Sequence, residues 1–228
     1  MFYKSLQIIN KMNKNKNDKI LAKAERPFIT NRAFYFANLI IGLPLSIILL
    51  LFMVQYLQVF ISKHHYILSN LAKTVNNHEK LMIIVEIFVY IGLYVLSIII
   101  LTMANRFVFG RPEPTIGTEP KPIIVLNKII INTIEQLCVF GPLLVHYLIQ
   151  IDKKEDLILL FSFAIAWIIG RIMFLIGYYF GSFINFSYLR TYGLMINMHI
   201  TLILVLKFFN IDLWKQLLLA TRTIEIII

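Results

Sequence analysis

The chain has 228 residues, of which 59% are hydrophobic and only 15% charged, with 22 Lys and Arg against 12 Asp and Glu for a net charge of +10. Soluble domains carry about 25% charged residues, so this composition excludes an ordinary soluble fold. It also argues against a nucleic-acid binder, because much of the positive excess sits in one N-terminal arm, and the single cysteine, Cys138, excludes an intrachain disulfide.

Residues 1–32 form that arm. Lys4, Lys11, Lys14, Lys16, Lys19, Lys23, Arg26 and Arg32 face only Asp18 and Glu25. The segment reads as disordered, and its lysines place it in the cytoplasm. No formal charge then occurs between Arg32 and Lys63. A bilayer core of roughly 30 Å takes about 20 apolar residues as a helix, so residues 33–62 read as a first span. The run starts too far from Met1, and lasts too long, for a cleaved signal peptide.

Residues 63–80 read as a lumenal loop carrying His64, His65 and His78, whose spacing is a poor metal signal; no metal centre is expected. The second span covers 81–105, with Glu86 near its lumenal start. Pro112, Pro114, Pro120 and Pro122 then mark a stiff cytoplasmic connector. The third span, 123–151, contains Asn132, Glu135 and Cys138, the last read as a buried inert thiol. The short DKKED stretch at 152–156 forces a tight antiparallel pair with the fourth span, 157–183. Arg190 precedes the fifth span, 192–209, and residues 210–228 read as a lumenal tail with an interfacial helix. On this topology the sequon Asn185-Phe186-Ser187 is cytoplasmic and unmodified.

The segments are long and continuously apolar, which excludes a membrane β-barrel with its alternating strands. The predicted fold is an all-α integral membrane protein of five transmembrane helices. Residues 81–209 form a four-helix bundle, and the first helix is an extra element appended to it.

Polar residues inside the spans are the candidates for function. At roughly 100° per residue, Lys128, Asn132 and Glu135 fall within about 60° of arc, and His146 returns to the same stripe. A charge at mid-bilayer costs about 2.5 kcal/mol or more, so Glu135 must face a partner or a wet cavity. On the fourth span Arg171 and Tyr178 share a face. Beside them Ala166, Gly170, Gly177 and Gly181 line a small-residue face that permits close helix approach and brings Arg171 within reach of Glu135 on a neighbour. Two readings follow. One is an interhelical Glu135–Arg171 ion pair that locks the bundle or its oligomer. The other is a cytoplasm-facing pocket for a small anion, lined by Lys128, Asn132, Arg171, Tyr178 and Arg190.

Lys128-x-x-x-Asn132-x-x-Glu135 resembles the Arg-x-x-x-Asn-x-x-Glu signature of the MAPEG family, the membrane-associated proteins of eicosanoid and glutathione metabolism. The stretch GRIMFLIGYYFG at 170–181, followed by Arg190, is also similar to that family, and the resemblance covers about 81–209. It implies a homotrimer with glutathione held between subunits near the cytoplasmic face by Lys128, Asn132, Glu135, Arg171, Tyr178 and Arg190. The chain departs from the pattern in several places. Lys128 replaces the arginine, and a point-charge ammonium lacks the bidentate fork. Phe174 stands where some catalytic members carry histidine, and Arg190 lies further past Tyr178 than in the prostaglandin synthase type.

The extra first helix, with the NTxEQ and GRxxFxxGY stretches, most resembles the mattrin branch. That resemblance implies a non-enzymatic role in an endomembrane system of endoplasmic reticulum, Golgi or lysosome. The competing expectation is a glutathione-dependent transferase, peroxidase or isomerase acting on a lipophilic substrate. Arg190 would then stabilise the thiolate, with Tyr192 as the alternative hydroxyl. The bilayer and further copies of the chain are the expected partners, and nucleic acid is not.

Overall fold

The computed structural model describes residues 40–70, 74–108, 120–184 and 188–219. The basic arm, most of the proline connector and the Asn185 sequon lie outside the described residues. The chain divides into two units, Met1–Pro44 and Leu45–Ile228. Of the first, only residues 40–44 are described, as helix.

The fold is all-helical. Ile40–His64 is α1. It is followed by α2 (Tyr66–Asn70), α3 (Asn77–Val108), α4 (Lys121–Gln150), α5 (Lys154–Ile184) and α6 (Tyr188–Phe208). A short α7 covers 213–219. Five of these, α1 and α3 to α6, are long and apolar enough to cross a membrane. The chain is an integral multi-pass membrane protein.

Helix ends follow local chemistry. Asn76 and Glu79 form a reciprocal capping box for α3, with Glu79 N donating to Asn76 Oδ1 at 2.9 Å and Asn76 N to Glu79 Oε2 at 2.8 Å. The last two prolines of the connector end the extended segment rather than continue it. Pro120 is extended just before α4 and Pro122 lies in its first turn, where a missing N–H costs nothing. The tight α4–α5 connection is present, and the backbone N–H of Val75 donates to Asp152 O at 3.1 Å, tying the 63–80 segment onto it.

Helices α3 to α6 each start two to four residues before the predicted span; at α3 the polar residues Asn76 to Lys80 carry capping bonds rather than loop structure. The 63–80 segment itself contains α2, whose first turn is held by His65 Nδ1 accepting from Leu68 N–H at 3.2 Å.

The core centres on α5, the most buried span. Leu160, Phe163, Ala164, Ala166 and Trp167 are buried there, and Trp167 stacks on Phe140 of α4 at 4.8 Å and 4°. The small-residue face of α5 meets α6 rather than α4. A Cβ on Gly193 would overlap Gly170 O and Phe174 N, so these backbones cross in contact.

Two expectations change. The first helix is not an appendage: Leu50, Val54 and Ile61 of α1 and Leu68 of α2 are fully or almost fully buried in the same core cluster as α5. The three on α1 share one helical stripe, which the lack of any charge across 33–62 conceals. The tail also turns inward. Asn210 takes a left-handed φ of 62°, and α7 returns Trp214 to the core, edge-on to Phe163 at 5.1 Å.

Candidate functional site

Arg171 is the centre of the site. It sits near the middle of α5, and its side chain is completely buried. Its terminal nitrogens donate to Gln136 Oε1 at 2.7 Å, Asn132 Oδ1 at 3.0 Å and Thr133 Oγ1 at 2.7 Å. The face of the guanidinium lies 4.8 Å from the Phe174 ring centre and 5.7 Å from that of Trp167. The backbone is held as well, since Tyr94 on α3 donates its hydroxyl to Arg171 O at 3.0 Å. A single arginine thus joins α3, α4 and α5. Neutral oxygens and ring faces replace water around the cation, which is how a guanidinium persists at this depth without a carboxylate.

Glu135 is not its partner. The carboxylate is exposed on α4. It lines a groove of about 400 Å³ with Gln136 and Val139 on one side and Met198, Thr201, Leu202 and Val205 of α6 on the other. One residue along a helix turns the side chain by roughly 100°, so Gln136 faces Arg171 and Glu135 does not. Because Arg171 is already fully covered within its own chain, Glu135 of another copy is also excluded from it. The expected Glu135–Arg171 ion pair is replaced by an amide and hydroxyl cluster.

The other candidates separate into two groups. Tyr178 and Arg190 come together, with the Arg190 guanidinium 4.9 Å from the Tyr178 ring centre. Phe174 packs on Tyr178 at 5.5 Å, so a column runs Arg171, Phe174, Tyr178, Arg190 from mid-span to the end of the bundle. Arg190 and Tyr192 lie in the first turns of α6, not in a preceding loop, and both are half-buried. Lys128 is exposed, and among the described residues no bond ties Lys128 or Glu135 to the column. Within one chain the six residues expected to hold glutathione do not converge, and Arg171, their strongest anion donor, is spent on its own helices.

Residue-type reasoning missed Thr133, Gln136 and Tyr94. The signal was present for Gln136, four residues after Asn132 and therefore on the same face. Cys138 corrects another expectation, since it is exposed on the outer surface of α4 rather than packed inside.

At the opposite end of the spans, Lys80 is nearly buried, donating to Ile149 O at 3.3 Å and lying 3.5 Å from Asp152 Oδ1. This contact fastens the start of α3 to the end of α4.

The MAPEG family model matches residues 83–210, more than half of the chain. No curated protein and no solved structure matches it.

Proposed function

The chain belongs to the MAPEG family, and from that premise we propose a non-enzymatic membrane protein of the endomembrane system, akin in role to the mattrin branch, in which the family's polar site is closed by the chain's own side chains. The observation that carries this reading is the complete burial of Arg171, with both terminal nitrogens bonded to Gln136, Asn132 and Thr133 of its own chain. A ligand carboxylate would have to displace three bonds and open a fully buried residue. The basic arm and the lysine and arginine distribution support a cytoplasmic N-terminus. A homo-oligomer, a trimer by family resemblance, is supported by the exposed Glu135 at mid-α4. An ionisable group there costs about 2.5–3.5 kcal/mol against lipid and is relieved by a second copy covering the groove.

One observation favours the glutathione-dependent reading. Arg190 is half-buried over Tyr178, and among the described residues it makes no hydrogen bond, so its donors remain for a thiolate or carboxylate. The test is thermal unfolding of the purified full chain with millimolar glutathione, followed by thiol conjugation to a reactive aryl halide. Mass measurement on the same preparation gives the subunit number. No stabilisation, no turnover and an oligomer are expected. Turnover abolished by Arg190→Ala would replace this reading with the enzymatic one.

A further inference from the structure

The strongest unassigned feature lies between α1 and the bundle, at the end of the spans remote from Arg190. A cavity of about 310 Å³ is lined by Leu57, Phe60, Ile61, His64 and His65 on one side and by Tyr90, Phe161 and Ile165 on the other. Its walls are mostly aromatic. Phe60 and His64 lie 4.9 Å apart, His65 meets Phe161 at 4.7 Å edge-on, and Tyr90 meets the same ring at 6.3 Å.

Behind two of these rings stands Glu86. One of its oxygens accepts from Tyr90 Oη at 2.8 Å and faces His65 Nε2 at 3.0 Å. The other nitrogen of His65 accepts the Leu68 N–H at 3.2 Å. With Nδ1 accepting, the tautomer that satisfies both contacts carries its hydrogen on Nε2, directed at Glu86. Among the described residues no lysine or arginine pairs with this carboxylate.

A partly buried carboxylate beside several ring faces is the chemistry that attracts an organic cation. Each ring face is negative, and cation–aromatic attraction strengthens when the site is desolvated. Leu57, Ile61 and Ile165 add aliphatic wall for an attached chain. We propose that this cavity binds an amphiphilic alkylammonium: a trimethylammonium or protonated amine at the aromatic rim near Glu86, with its hydrocarbon toward the bilayer. A choline-headed lipid and a free lipophilic amine share that chemistry. The site also gives α1, absent from a four-helix bundle, a function in ligand binding.

The experiment uses the full chain in dodecylmaltoside micelles and titrates hexyltrimethylammonium, with hexanesulfonate as the charge-reversed control. Saturable binding of the ammonium alone is expected. Glu86→Gln retains an oxygen to accept both hydrogen bonds and is expected to weaken binding about tenfold with little change in melting temperature. Phe60→Leu, at a largely exposed position, is expected to weaken it without affecting the fold. Displacement of the probe by added phosphatidylcholine supports the site and assigns it to a lipid headgroup; persistence supports it and assigns it to a soluble amine. Equal binding of the sulfonate, or unchanged affinity in both variants, would overturn the proposal.

Discussion

Arg171 and Glu135 show how one helical position separates a structural group from an unpartnered one. Both are charged and both lie near the centre of their spans, so charge alone suggests a pair. Geometry divides them: Asn132, Thr133 and Gln136 face α5, and Glu135 looks onto the α4–α6 groove. What the sequence offered was the stripe, and what it hid was that neutral amides, not a carboxylate, would take the arginine. Helix register explains the choice: Asn132, Thr133 and Gln136 face α5, and Glu135 is turned roughly 100° from Gln136.

Asp212 provides a second residue-scale test. Burial pushes its carboxyl up, but the Lys207 Nζ bond at 2.8 Å and the Lys215 N–H bond at 3.1 Å, with both lysine charges, outweigh it and hold the group below the usual carboxylate range. A depressed folded value means that the stabilisation is present above the unfolded value and is lost as pH falls through the folded one. Thermal unfolding is therefore expected to be flat from neutral pH down to about pH 5 and to fall below about pH 4, with a smaller fall in Asp212→Asn. An equal acid slope in the variant would remove Asp212 from the account.

Between elements, the decisive contact is the α5–α6 crossing. Small residues on α5 were legible as a face for close approach, but their partner was not, since periodicity identifies a stripe without saying what covers it. The two glycines at the crossing differ in what surrounds them. A methyl on Gly193 meets the α5 backbone, which cannot yield, whereas one on Gly170 first meets the Asn197 side chain. Gly193→Ala is expected to destabilise by about 3 kcal/mol and Gly170→Ala by about 1 kcal/mol, measured by denaturant unfolding in mixed micelles. Asn197 is buried with neither amide atom bonded among the described residues.

For the molecule as a whole, membrane insertion and the number and order of the spans were readable because hydrocarbon permits only long apolar helices. The docking of α1 and the inward turn of α7 were not. An uncharged, mostly apolar helix gives little pattern to say which side is buried, and Asn210 hides a left-handed turn that redirects the tail. Family membership over 83–210 agrees with the four-helix reading, while α1 lies outside that range. At mid-span the bundle is closed around Arg171, and at the end remote from Arg190 it holds an aromatic cavity near Glu86.

The most direct test of that closure is a pair of double-mutant cycles on unfolding free energy, Arg171→Met with Gln136→Leu and Arg171→Met with Glu135→Gln. The structure predicts a coupling of about 1–3 kcal/mol for the first pair and about zero for the second. A strong Arg171–Glu135 coupling beside an absent Arg171–Gln136 one would contradict it and restore the ion pair with an open anion site.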